Sequence, residues 1–204
     1  MSYVYGSGTV ADYTAYAHGV TGNFATADVG LVGDSITTLG RPDVAAALSL
    51  LGKTLACDYW SSRPATPAIT STLARPVLPK IMVMAIGTND VFAPTGMAAQ
   101  VARMSPSVLA AKGCEHLFWV DVHCCRFKLP LQTQVYDERN TCLVNAQIHD
   151  GIEKDHIVPW NWTLNYRGIT WPGYYLSDGV HPKPSLGTKF WAACIVNFIK
   201  PYLP

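Results

Sequence analysis

Val29-Gly30-Leu31-Val32-Gly33-Asp34-Ser35-Ile36-Thr37 passes from an apolar run straight into a turn, and it sets a serine where the chain leaves a buried strand. Similar short apolar runs, without clean alternation, recur at residues 55–59, 80–86, 117–122 and 157–160. That is the pattern of strands covered on both faces, as in a parallel sheet. Helix-like segments fall between them at residues 43–51, 67–73, 96–111 and 137–154, and a last one at 186–200 closes the chain. Alternation of this kind predicts an α/β fold, a three-layer α/β/α sandwich around a five-stranded parallel sheet. Crossovers in such sheets are right-handed, and ligands gather outside the carboxyl ends of the strands. Ser35, Ser62 and Asn89 each follow a predicted strand end, which puts them on one sheet edge.

The chain has 204 residues, 49% of them hydrophobic and 14% charged, enough for one domain with a sizeable core. A formal net charge of +1 with no Lys/Arg run leaves no footprint for nucleic acid, and none is expected as a partner. The first residues carry neither a basic region nor an apolar stretch of signal-peptide length, and no later run is long enough to span a membrane. The chain therefore reads as soluble and without its own export signal. Residues 1–26, rich in Tyr, Gly, Thr and Ala, read as an arm ahead of a domain at 27–204. Gly6-Ser7-Gly8-Thr9-Val10-Ala11 formally fits a dinucleotide fingerprint, but no strand precedes it, so no cofactor is expected. Six cysteines, Cys57, Cys114, Cys124, Cys125, Cys142 and Cys194, are scattered over strand- and helix-like segments and read as reduced thiols.

Two further polar clusters lie at the ends of strand-like segments or loops: Gly87-Thr88-Asn89-Asp90 and Asp178-Gly179-Val180-His181-Pro182. A serine hydroxyl is a weak nucleophile unless a base lies within hydrogen-bond reach and a third group fixes that base's tautomer. Asp178 and His181, three residues apart across a glycine turn, can be that pair for Ser35. Asn89 and the main-chain N–H of Ser35 can supply donors to an oxyanion. Taken singly, each cluster is also ordinary turn composition. Their order and joint content carry the reading. His18, His116, His123, His149 and His156 have no comparable context and read as structural or surface residues.

These blocks resemble those of the SGNH hydrolases, also called the GDSL esterase/lipase family. Gly33-Asp34-Ser35-Ile36-Thr37 is similar to the family's first block, Gly87-Thr88-Asn89-Asp90 to its third, and Asp178-Gly179-Val180-His181-Pro182 to its fifth. The resemblance implies the flavodoxin-like SGNH fold, with Ser35 as nucleophile, His181 as general base and acid, Asp178 as its orienter and Asn89 as an oxyanion donor. The second block departs from the pattern. In Trp60-Ser61-Ser62-Arg63-Pro64, Ser62 stands where the family has a glycine whose N–H joins the oxyanion hole. A serine keeps that N–H but restricts φ.

The expected activity is therefore hydrolysis of a carboxylic ester through an acyl-enzyme, without a metal, since neither His-Glu-x-x-His nor Cys/His ligand spacing occurs. No Gly-x-Ser-x-Gly elbow is present, which argues against the other large esterase fold. Short-acyl, carbohydrate or cell-envelope esters are the expected substrates, because aromatics crowd the loop before Asp178; Trp171, Tyr174 and Tyr175 are the candidate substrate contacts. Lipase or thioesterase activity is an alternative. A second alternative is a hydrolase-like module of a homo-oligomer or larger assembly such as a virion or cell-surface complex, docked through residues 1–26.

Overall fold

A computed structural model describes residues 18–166 and 172–204. The chain runs through strand β1 (His18–Thr21), β2 (Val29–Gly33), helix α1 (Ser35–Ser49), β3 (Leu55–Trp60), α2 (Ala65–Leu73) and β4 (Ile81–Ala85). After a 3₁₀ turn at Thr88–Phe92 come α3 (Met97–Ala102), α4 (Pro106–Ala110), β5 (His116–Val120), α5 (Leu131–Gly151), β6 (Ile157–Val158), α6 (Trp160–Tyr166) and α7 (Leu186–Ile199). The six strands form one sheet in the order β1-β3-β2-β4-β5-β6, parallel except for β1. Every residue of the central strands β2 and β4 is buried, as a sheet covered by helices on both faces requires. α1 packs along α7, while α2, α3 and α5 form a second set of neighbours. Gly40 of α1 is what lets α7 approach, since a Cβ there would lie 2.4 Å from the Trp191 ring.

The α/β/α architecture agrees with the expectation, but the five-stranded, all-parallel sheet does not. β1 adds a sixth strand antiparallel to β3, pairing His18 with Trp60 and Thr21 with Cys57. Residues 18–21, read as part of the arm, thus belong to the sheet. β1 is four residues long and largely exposed, so no apolar pattern announces it. Main-chain pairing to the open edge of β3 holds it in place.

Local chemistry explains the other shifts. α1 starts at Ser35, well before residue 43, despite Gly40 and Pro42 within it. Pro42 cannot donate to the carbonyl of Thr38, four residues back, and the Arg41 guanidinium donates to that oxygen instead. The segment 96–111 splits into α3 and α4, with Pro106 as the first residue of the new helix. β6 ends at Val158 because Pro159 interrupts the ladder and Trp160 opens α6. All six cysteines are free thiols. Burial pushes Cys57 up to about 12 and Cys114 up to about 11, so neither is a nucleophile near neutrality.

Candidate active site

β2 ends at Gly33, and Asp34 caps α1 by accepting a 2.9 Å hydrogen bond from the Ile36 N–H. The turn is too tight for any side chain at Gly33, where a Cβ would lie 1.8 Å from the Thr37 hydroxyl oxygen. Ser35 is then the first residue of the helix, its N–H among those with no intrahelical acceptor. On the far side of the cleft, Gly179 adopts φ +93°, and a Cβ there would sit 1.6 Å from the Cys125 carbonyl oxygen. That glycine folds Asp178 and His181 toward each other. Asp178 Oδ1 accepts from the N–H groups of Val180 at 2.9 Å and His181 at 2.8 Å.

The side chains then line up. Asp178 Oδ2 is 2.8 Å from His181 Nδ1, and His181 Nε2 is 2.9 Å from Ser35 Oγ. A carboxylate only accepts, so Nδ1 carries the proton and Nε2 is free to accept from the serine hydroxyl. The electrostatics match this assignment. Burial alone would raise the Asp178 carboxyl, but the His181 ring, the two main-chain N–H groups and the imidazolium charge outweigh it and hold the group at about 2. The hydrogen bond that His181 donates to Asp178 in turn lifts His181 above 6.5, against the opposing effect of burial.

Ser62 lies in a turn closed by the Arg63 N–H on the Trp60 carbonyl at 3.1 Å. Its φ is +63° while Ser61 stays at negative φ, the arrangement of a type II turn whose third position favours glycine. The positive φ gives the glycine of the resembled pattern its physical reason, and a serine here carries backbone strain on the order of 1 kcal/mol. Ser62→Gly should therefore raise unfolding stability by about 1 kcal/mol in urea melts. If Ser62 contributes only its N–H, turnover of both Ser62→Gly and Ser62→Ala should stay within a few-fold of the parent. A hundredfold loss in Ser62→Ala would instead assign the donation to the hydroxyl.

Asn89 sits in the 3₁₀ turn, where its Nδ2 donates to Asp34 Oδ2 at 3.3 Å and to the Arg63 carbonyl at 3.2 Å. Both bonds are long. The amide is thus positioned between the first and second blocks, with each hydrogen engaged at long range and able to shorten onto an oxyanion. Asp90 ties the same turn to α2 by accepting from the Ala65 N–H at 2.9 Å. Burial raises both Asp34 and Asp90 to about 6.

Ser35, Ser62, Asn89 and His181 together line a cleft of about 320 Å³. Its remaining wall includes Thr38, Leu39, Phe92 and Val180, which the sequence reading missed. Each lies within four residues of a block, so helical spacing from Ser35 or proximity to Asn89 was the available signal. The aromatic contacts need correction. Tyr174 and Tyr175 do not line the cleft; Tyr175 stacks on Phe190 of α7 at 4.1 Å, and Tyr174 packs edge-on against Tyr175. Tyr175 covers the last helix because Phe190 of α7 offers an apolar ring beneath it, and exposed Tyr174 leans on Tyr175. Trp171 lies outside the described residues.

No protein-family model and no curated protein matches the chain. Solved structures do. The C-terminal catalytic domain of peptidoglycan O-acetyltransferase A from Streptococcus pneumoniae is 20% identical, with a TM-score of 0.60 over 88% of this chain and 95% of that one. A lipase/acylhydrolase from Enterococcus faecalis is 17% identical, with a TM-score of 0.63 over 86% of this chain and 96% of its own. An acetylxylan esterase from Geobacillus stearothermophilus is also 17% identical, with a TM-score of 0.56 over 86% and 95%. These neighbours are SGNH/GDSL hydrolases, and it is their fold that the chain shares.

Proposed function

We propose that the protein is a serine carboxylic-ester hydrolase that works through an acyl-enzyme. The observation that carries this reading is the pair of hydrogen bonds, 2.9 Å and 2.8 Å, that joins Ser35 to His181 and His181 to Asp178. Ser35 Oγ attacks the acyl carbon while its proton passes to His181 Nε2. The carbonyl π electrons move onto oxygen, and the main-chain N–H groups of Ser35 and Ser62 with Asn89 Nδ2 receive the negative charge. As the bond to the leaving alcohol breaks, the imidazolium returns the proton to the departing oxygen. Water repeats the sequence on the acyl-enzyme and releases the carboxylic acid. The likeness to both esterases and an O-acetyltransferase domain supports acyl transfer as the common chemistry, with water or a second alcohol as acceptor.

Hydrolysis of p-nitrophenyl esters tests this, read as a pH profile. His181 must be neutral to take the serine proton, and its pKa is raised above 6.5 by Asp178. The rate should therefore be low in acid and rise with pH, with the midpoint of kcat/KM above 6.5. Absence of turnover on every ester would overturn the reading. A midpoint at or below the ordinary imidazole value would remove Asp178 from it.

A further inference from the structure

Beside the cleft, and sharing Ser62, Asn89 and Phe92 with it, lies a second hollow of about 260 Å³ walled by Trp60, Pro64 and Pro67. We propose that this hollow holds the acyl chain of the ester, and that the chain is a saturated one of roughly six to eight carbons rather than acetyl. The inference rests on the ester-hydrolase reading and names its substrate class.

Tetrahedral geometry decides which part of the ester enters. The intermediate's carbon bears Ser35 Oγ, the oxyanion, the leaving oxygen and the acyl chain. The oxyanion faces Ser62 and Asn89. The leaving oxygen must lie beside His181 Nε2 to collect its proton, so the alcohol departs along the side lined by His181 and Val180. The hollow opens from the oxyanion residues and touches neither Ser35 nor His181. The acyl chain is the substituent left to fill it.

Chemistry and size narrow the chain. Two aromatic rings and two prolines make the walls apolar. Arg63, also at the hollow, is buried: one terminal nitrogen pairs with Asp58 at 2.7 Å and the other donates to the Ser71 hydroxyl and the Pro67 carbonyl, while Nε, equally buried, has no hydrogen-bond partner among the described residues. The Arg63 charge is balanced inside the protein by Asp58 and is not held in reserve for an anionic acyl group. A methylene fills about the space of one water, on the order of 30 Å³, so 260 Å³ has room for about eight such groups. Acetyl would leave most of it empty. The carbohydrate expectation rested on the aromatics near Asp178; Tyr175 is stacked on Phe190 of α7, and Tyr174, exposed and edge-on to Tyr175, is not among the residues lining the cleft.

The test is a p-nitrophenyl ester series from acetate to decanoate on the full chain and on Pro67→Phe, which fills the hollow while keeping the main-chain carbonyl that Arg63 uses. Each methylene moved from water into an apolar site is worth roughly fourfold. Octanoate should exceed acetate in kcat/KM by at least tenfold, and Pro67→Phe should lower that ratio at least tenfold. Should Pro67→Phe not fold by circular dichroism, Trp60→Ala replaces it and should move the optimum to longer chains. A preference for acetate, unmoved by these substitutions, would overturn the acyl-site assignment and leave the esterase reading intact. If no ester is hydrolysed, calorimetry with free octanoate decides: binding lost in the filled variant keeps the site, and no binding overturns it.

Discussion

Ser35→Ala should lower ester turnover by about 10⁵-fold or more while the protein remains folded. In the proposed mechanism the hydroxyl oxygen is the atom that becomes bonded to the acyl carbon, and it lies 2.9 Å from His181 Nε2. Its removal costs the fold little. Ser35 is half-buried in the first turn of α1, where alanine is well tolerated, and the lost hydrogen bond is worth about 1 kcal/mol. The oxyanion donors survive, so a residual rate above that of water should persist. Activity would be measured on a p-nitrophenyl ester and folding by circular dichroism. Parent-like turnover in the purified variant would show that another group is the nucleophile.

His181→Ala should cost turnover on the same scale as Ser35→Ala, because nucleophile and base act as one unit and their losses do not add. Asp178→Asn should be milder, a drop on the order of 10⁴-fold. The asparagine carbonyl can still accept from the Val180 and His181 N–H groups, so the turn around Gly179 stays closed. Its amide would instead face His181 Nδ1 with hydrogens, favouring the tautomer that protonates Nε2 and cannot accept from Ser35. The pH profile separates this positioning role from a merely structural one. The Asp178 hydrogen bond is the largest influence raising His181, so Asp178→Asn should move the rising limb to lower pH. A limb that stays put, or a His181→Ala variant with near-parent rates, would remove the pair from the chemistry.

Ser35, His181 and Asp178, the candidate triad, were legible in the sequence because each occupies a short motif. Gly33 leaves room for the Thr37 side chain of the same turn and Asp34 caps the helix it precedes, whereas Gly179 is demanded by a carbonyl distant in sequence, that of Cys125. The central strands were equally legible, since burial on both faces leaves continuous apolar runs at residues 29–32 and 80–86. Pairings that depend on an edge were not. β1 carries no apolar signature, and main-chain pairing to β3, with the His18 ring edge-on to Trp60, gives it a place.

The same division holds at the site. From the sequence alone came the residue types, their order, and the anomaly of a serine at position 62. The tertiary structure decided that Ser62 occupies left-handed backbone, that Asn89 is poised between Asp34 and the Arg63 carbonyl, and that Phe92 and Trp60 face the cleft region while Tyr175 turns to α7. Local motifs encode chemistry because a hydrogen bond between near neighbours needs only the turn that joins them. Pocket walls come from side chains far apart in the chain, and which ring faces the substrate is settled only when competing apolar surfaces have been buried against one another.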